Sequence, residues 1–239
     1  RQGALTIVTV IFNVVVFAIG FWKAGDTSNV LEMCSRLVIL FAVITLVGLN
    51  GIHKKTWAAL FTTLIVLVMI MGIFDVVIHH AEDLDYSTME YLGSIENPDE
   101  IFHAEILISG LGAIMDVAVA IAASLSEIVE KKPKVTFLEL FKSGREIGYD
   151  IMGTMINVLL FVFSCGLIPM CLIRMNNDVS LITIIKLHIP CELCRFLVES
   201  IGIVLAIPIS ILVTSVMIKV PGMFHRQKKA RKVQGEGKC

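Results

Sequence analysis

The sequence predicts an all-α integral membrane protein with six transmembrane helices. Of its 239 residues, 56% are hydrophobic and only 17% are charged, whereas a soluble domain carries about 25% charged residues. Apolar runs such as the one from Leu60 to Val77 do not alternate with polar residues, which excludes a membrane β-barrel. This composition also excludes a soluble enzyme, a disordered tail and a disulfide-built secreted module.

Six apolar stretches are each close to the roughly 20 residues that cross a bilayer. They cover residues 3–21, 30–49, 57–78, 104–125, 150–173 and 197–218. We therefore predict one transmembrane domain over residues 1–218, followed by a basic tail over 219–239. The first stretch opens with Arg1 and has no small-residue cleavage site, which indicates a truncated or trimmed start and not a signal peptide.

Two connections between these spans are predicted to have structure of their own. In residues 135–144, Val135, Leu138 and Phe141 share one helical face, which predicts an amphipathic segment in the membrane interface. Residues 181–196 are apolar but interrupted by a lysine and a proline. We expect them to form a re-entrant or surface helix that leads into the sixth span.

Positive charge is distributed unevenly between the connections. With six spans, 15 of the 20 lysines and arginines lie on the side that holds both termini, and the positive-inside rule makes that side cytoplasmic. The largest loop on the other side, 79–103, carries seven acidic residues and no lysine or arginine. We expect the basic tail to contact anionic lipid, and a net charge of -1 gives no reason to expect nucleic-acid binding.

One ionisable residue lies in the middle of a predicted span. Asp116 is near the centre of the 104–125 stretch, where a charged side chain costs about 2.5–3.5 kcal/mol on insertion scales. Small residues recur around it at spacings of three and four: Ser109, Gly112, Ala120 and Ala123. Such a stripe predicts close packing by a neighbouring helix that shields the carboxyl from lipid. Asp116 is then either a protonatable coupling residue or a neutral contact between helices, and both interpretations stay open.

The fifth span offers polar partners for Asp116. Three polar residues recur on one face of that span: Asp150, Thr154 and Asn157. Asn157 lies near the middle and could hydrogen-bond either protonation state of the Asp116 carboxyl. Two glycines would let this helix pack closely or move: Gly148 and Gly153. Glu127, 11 residues after Asp116, is the remaining candidate for a proton path.

Other polar residues have a simpler interpretation. Three of them could bind a metal at the outer mouth, although we favour a solvated acidic loop: His79, His80 and Asp83. Cys191 and Cys194 form a C-x-x-C motif, but no second pair completes a zinc site, so we interpret them as apolar thiols. Intramembrane proteolysis would need a second aspartate next to the glycines, where the chain has Ala113. We expect neither enzymatic activity nor a cofactor.

Blocks of sequence across nearly the whole chain resemble one family. They are GIHKKTWAA at 51–59, GLGAIMDVAVAIAASLSEI at 110–128, ELFKSG at 139–144, IGYDIMGTMIN at 147–157 and ELCR at 192–195. In this order they resemble YibE/F-like bacterial membrane proteins, and the short N-terminus is closer to the YibF half of the pair. Where that family commonly reads Thr-Met-Thr-Asn-Thr, this chain has Ile156 and Val158 in place of two hydroxyl residues.

The resemblance implies a multi-pass protein of the bacterial cytoplasmic membrane, in a family whose function is not established. The glycines, Asp116 and Glu127 are further similar to the fourth helix of each half of SecD/SecF and of resistance-nodulation-division (RND) transporters. In those proteins two six-helix halves pair, and mid-membrane acids couple proton flow to the movement of an extracytoplasmic domain. By this likeness we expect one half of a proton-coupled transport or export complex, paired with a YibE-type sister subunit or with a second copy. The alternative is a non-catalytic membrane scaffold or accessory subunit in which Asp116 packs helices together.

Overall fold

The structure, a computed structural model, describes residues 2–24, 30–80 and 98–236. These residues form six helices: α1 Gln2–Ala24, α2 Val30–Asn50, α3 Lys54–His80, α4 Pro98–Lys131, α5 Phe137–Asn176 and α6 Leu181–Glu236. The described residues contain no strand, which confirms the all-α class.

Five of these helices, α2 to α6, are long and apolar enough to cross a membrane by length and composition. In α1 the apolar stretch with described side chains is shorter, Thr6–Gly20. The chain is therefore a multi-pass helical bundle, and the first of the six predicted spans stays a prediction.

The core of the bundle lies where α3, α4 and α6 meet. α4 is the central helix and contacts α2, α3, α5 and α6. One side of it is lined with fully buried apolar residues: Ile106, Ile114, Val117, Ile121 and Leu125. Because lipid is as apolar as these side chains, this core is stabilised by close packing and not by removal from water.

α1 lies at the edge of the bundle and packs on α2. Asn13 Nδ2 donates to Thr45 Oγ1 at 2.8 Å, which joins the two helices by a polar contact. A side chain on Gly20 would meet Leu37 at 2.9 Å, so glycine is needed there for the close approach of α1 to α2.

The prediction of a separate amphipathic segment over 135–144 is wrong. α5 begins at Phe137 and continues into the fifth span without a break, and Thr136 caps its first turn. Val135 is buried but Leu138 is 78% exposed, so the two side chains do not share a buried face. The reason is that Val135 precedes the helix, and helical spacing does not apply to it.

The segment 181–196 is also part of a longer helix. α6 begins at Leu181 and continues past Pro190 to Glu236, so this segment is not re-entrant. A proline inside a helix removes one backbone hydrogen bond but does not by itself end the helix. The 56 residues of α6 correspond to about 84 Å, well over the thickness of a bilayer.

Candidate functional site

Between residues 105 and 127, one face of α4 combines polar and small residues. At 100° per residue, seven positions of this stretch fall within an arc of about 80°: Glu105, Ser109, Gly112, Asp116, Ala120, Ala123 and Glu127. We call this set the α4 polar face. Asp116 lies 11 residues from both Glu105 and Glu127, which is about 16 Å along the axis in each direction. Three carboxyl groups are thus evenly spaced over about 33 Å, close to the thickness of a bilayer core.

Asp116 is exposed in the single chain. It forms no hydrogen bond or ion pair among the described residues. A side chain added at Gly112, one turn away, would meet nothing within 4 Å. Among the described residues of the single chain, the neighbouring helix that the small-residue stripe predicts does not cover this carboxyl. Because an exposed carboxyl at mid-membrane is costly in lipid, this face needs water or another chain to cover it in a bilayer.

The polar residues of α5 bond to their own helix. Asn157 Nδ2 donates to the Gly153 carbonyl at 2.8 Å, and Thr154 Oγ1 donates to the Asp150 carbonyl at 3.3 Å. The hydrogen bond expected between Asn157 and Asp116 is not formed. Each of these two side chains thus bonds to a carbonyl four residues back in its own helix.

The predicted packing glycines fall into two groups. A side chain on Gly148 would lie 2.3 Å from Ile207 of α6, so this glycine allows α5 and α6 to approach closely, as expected. Gly153 has nothing within 4 Å of such a side chain, just like Gly112, and Ala120 is half-buried. The small residues thus mediate packing within the chain at Gly148 but not beside Asp116 or Asn157.

A charged cluster joins one end of α4 to α6. Ser109 Oγ donates to Glu199 Oε1. Arg195 Nη1 lies 3.4 Å from Glu105 Oε2, and Arg195 Nη2 lies 2.5 Å from Glu192 Oε2. Glu199 is only 6% exposed. We call these five residues the α4–α6 cluster.

The cluster places three carboxyl groups around one guanidinium. Arg195 pairs with Glu105 and Glu192, and Glu199 has the Ser109 hydroxyl as its hydrogen-bond donor. The sequence prediction does not include the charged residues of this cluster. A signal for them exists, because Glu192, Arg195 and Glu199 follow one another at spacings of three and four and so share a face of α6.

Glu127 lies at the other end of the α4 polar face. Its carboxylate pairs with Lys131 at 2.6 Å on the surface. It also lines a cavity of about 740 Å³. This cavity lies at the end of the bundle where residues 51–55 and 131–136 connect the helices. We call that end the basic end, because Lys54, Lys55 and Lys131 lie there.

The predicted metal candidates lie outside the side chains that the structure describes: His79, His80 and Asp83. The same holds for Cys191, while Cys194 is a free thiol. Within residues 2–24, 30–80 and 98–236, no three histidine, cysteine or acidic side chains are grouped to hold a metal ion.

α3 and α4 are also joined by a polar contact. Near the end of α3, Asp75 Oδ1 pairs with His103 Nε2 of α4 at 2.8 Å.

The fold and the site together define a multi-pass helical membrane protein with ionisable groups along its central helix. Residues 1–220 match the model of the family described as YibE/F-like protein. The chain belongs to this family, which confirms the resemblance seen in its sequence blocks. No curated protein and no solved structure matches the chain, so the likeness of α4 to SecD/SecF and RND proteins stays a prediction.

Proposed function

We propose that this chain is one subunit of a proton-coupled transport or export complex in the bacterial cytoplasmic membrane. Asp116 is the residue that takes up and releases the proton, both termini are cytoplasmic, and the subunit is not an enzyme. The observation that supports this proposal is the α4 polar face, with one carboxyl at mid-helix and one about 16 Å away on each side.

The α4–α6 cluster provides one end of the proton path. Glu199 is buried and is held by the Ser109 hydroxyl, outside the ion pairs of Arg195. Its carboxyl can therefore exchange a proton without breaking the contacts of Arg195 with Glu105 and Glu192. At the basic end, Glu127 lies beside a cavity, where water can receive the proton.

The gaps of about 16 Å on either side of Asp116 are too long for a direct hydrogen bond. Water or side chains from another subunit must bridge them. The space beside Gly112 and Gly153, where no atom of the described residues lies within 4 Å of an added side chain, leaves room for either. We therefore propose that a partner, a YibE-type sister subunit or a second copy, covers the α4 polar face and completes the path.

The energy available to such a path is small but sufficient for gating. One proton crossing 100 mV supplies about 2.3 kcal/mol, which changes a two-state equilibrium by about 50-fold. This is enough to bias a movement of helices. It also fits the proposal that the subunit drives a conformational change and performs no covalent chemistry.

The alternative function is a membrane scaffold in which Asp116 holds two chains together. The absence of any partner for Asp116 among the described residues favours this form of the alternative over packing within the chain. In a scaffold, the carboxyl would hydrogen-bond to the neighbouring subunit and would not need to change its protonation.

Asp116→Asn tests the proposal. The complex is purified from its native membrane, reconstituted into liposomes with a pH-sensitive dye inside, and given a pH gradient. Asparagine keeps the shape and hydrogen bonding of the side chain but carries no exchangeable acid proton, so we expect proton flux to fall by about 10²-fold or more. Glu146→Gln, which removes an exposed acid from the start of α5, is the matched control and should leave the flux unchanged.

The amount of assembled complex distinguishes the two functions. Under the relay proposal, Asp116→Asn assembles normally but its proton flux falls by about 10²-fold or more. Unchanged flux with this variant would show that the relay is wrong. If Asp116→Asn retains both flux and assembly while Asp116→Leu loses the partner subunit, the scaffold function is supported instead.

A further inference from the structure

A cavity at the basic end is separate from the α4–α6 cluster. Its volume is about 740 Å³, and it lies between the start of α3 and the end of α4. Charged and polar side chains line its two walls: His53, Lys54 and Lys55 on one, and Ser124, Glu127 and Glu130 on the other. This volume is within the range of small-molecule sites.

The charges in this cavity are not balanced by ion pairs across it. Lys54 and Lys55 form no ion pair or hydrogen bond through their side chains among the described residues. Glu127 is neutralised by Lys131 at 2.6 Å, and Glu130 is the one lining acid without a partner in the described part of the chain. Two free cations therefore face one free carboxylate, and the cavity favours an anion.

The start of α3 adds further donors. α3 begins at Lys54, and the N–H groups of Thr56 and Trp57 donate to the His53 carbonyl. The N–H groups of Lys54 and Lys55 are left without an acceptor within the helix. Together with the helix dipole, these N–H groups favour an anion at this position. Both lysines thus belong to the helix turn whose backbone attracts negative charge.

Thr56 supplies independent evidence for a ligand. It is only 3% exposed, and its Oγ1 is buried without a hydrogen-bond partner. Thr62 and Thr63 of the same helix donate to carbonyls four residues back, those of Ala58 and Ala59. The residue four positions before Thr56 is Ile52, which precedes α3. Thr56 therefore does not form the hydrogen bond that Thr62 and Thr63 form.

The surroundings of Thr56 connect it to the charged cavity. Thr56 lines an inner cavity of about 10 Å³, which holds at most about one water molecule. Lys55 and Ala123 line both the inner and the main cavity. The missing partner of the buried hydroxyl is therefore to be sought in the contents of these two cavities.

We propose that the cavity at the basic end binds a phosphate monoester. The side chains and the backbone N–H groups of Lys54 and Lys55 contact the phosphate oxygens, and Thr56 bonds to the phosphate through a water molecule in the inner cavity. A phosphate monoester carries a charge of about −1.5 to −2 at pH 7. This charge matches that of two lysines better than the single charge of a carboxylate ligand would. The ester is either a soluble metabolite or a lipid headgroup, since both present the same group.

The test uses the purified full chain in detergent and measures binding by calorimetry. Glycerol 3-phosphate, with glycerol as its control, probes a soluble ligand. Micelles containing phosphatidic acid, with diacylglycerol as the control lipid, probe a headgroup. We expect one phosphate probe to bind and its control not to bind.

Variants then locate the bound phosphate. The double variant Lys54→Gln with Lys55→Gln should weaken binding by about tenfold or more, because it removes both unpaired positive charges from the lining. The single variants replace it if the double variant does not fold. Lys134→Gln removes an exposed lysine of the same end that does not line the cavity and should leave binding unchanged. Glu130→Gln should tighten binding, because it removes the one free carboxylate of the lining.

Thr56→Val separates binding from folding. It keeps the shape of the side chain and removes a hydroxyl without a partner, so the ligand-free protein should unfold at the same temperature or higher, while phosphate binding weakens. Binding of glycerol 3-phosphate supports a soluble ligand, and binding of phosphatidic acid alone supports a lipid. Binding of neither probe, or equal affinity in the wild type and all lysine variants, would overturn the proposal.

Discussion

α6 and α5 both pack beside the central helix α4, but they do so over different lengths. α6 contacts α4 at its polar end, where Glu199 accepts a hydrogen bond from Ser109. It contacts α4 again at mid-helix, where Ser210 Oγ donates to the Ala118 carbonyl at 3.3 Å. The two helices are thus joined by polar contacts over a large part of their length.

α5 approaches α4 closely near the basic end. There a side chain on Gly144 would lie 3.2 Å from Leu125 of α4 and 2.8 Å from Ile211 of α6. Further along, α5 keeps its contact with α6, with the rings of Phe163 and Phe196 5.8 Å apart. Gly153, however, has open space beside it. Glycine therefore has two roles in α5. Gly144 lets the helices of the chain pack closely near the basic end, whereas Gly153 lies on a face that is open to water or another subunit.

The largest effect should come from breaking the contact of α6 with α4. Arg195→Ala removes the only guanidinium of the cluster. The ion pair of Arg195 with Glu192 is partly buried, because the two side chains are only 29% and 21% exposed. The Glu105 side chain is 44% exposed, so water compensates part of the loss when these acids are left without their cation. We expect a loss of about 2–3 kcal/mol in unfolding free energy, measured by denaturant titration in micelles.

The control for Arg195→Ala is a surface pair at the same end. Arg36 and Glu32 lie 2.5 Å apart, but their side chains are 77% and 59% exposed, so Arg36→Ala should cost less than about 1 kcal/mol. Equal losses in the two variants would show that the α4–α6 cluster stabilises the fold no more than a surface ion pair does.

The contact of α5 with α6 should respond to a single methyl group. Gly148→Ala places a carbon 2.3 Å from Ile207 Cγ2, and we expect a loss of about 1–3 kcal/mol from overpacking. Gly153→Ala, five residues further on, meets nothing within 4 Å and should gain up to about 1 kcal/mol from helix propensity. Thermal unfolding of the two variants of the isolated chain tests this difference in sign. If both variants lose stability equally, the open face at Gly153 is covered within the chain.

The sequence predicts the helices better than it predicts their ends. Apolar length locates each span, because the backbone in lipid must be helical. The start of α5 is visible as Thr136 followed by Glu139 three residues later, a capping-box pattern. Hydrophobic spacing alone places the interface segment at 135–144, because periodicity does not show whether a helix continues into the next span.

The candidate site is predicted only in part, for a related reason. A helical wheel shows that Asp116 shares a face with small residues, but it does not show which helix covers that face. Choosing α5 as the neighbour follows from its position next in the chain, and Asn157 then becomes the expected partner. In the structure, α6 supplies polar contacts to the α4 polar face, through Arg195 and Glu199, because helices distant in sequence are adjacent in the bundle.

The smallest effect concerns the first turn of α5. Thr136 Oγ1 accepts a hydrogen bond from the Glu139 N–H at 3.3 Å, and Glu139 Oε2 accepts one from the Thr136 N–H at 2.9 Å. Thr136→Ala removes the first of these bonds and should cost about 1 kcal/mol, while Thr136→Ser should cost almost nothing. Hydrogen exchange should show faster opening of residues 137–140 in the alanine variant only. Leu140 is fully buried, so a loss far above this value would mean that the cap also holds α5 against α4 and α6.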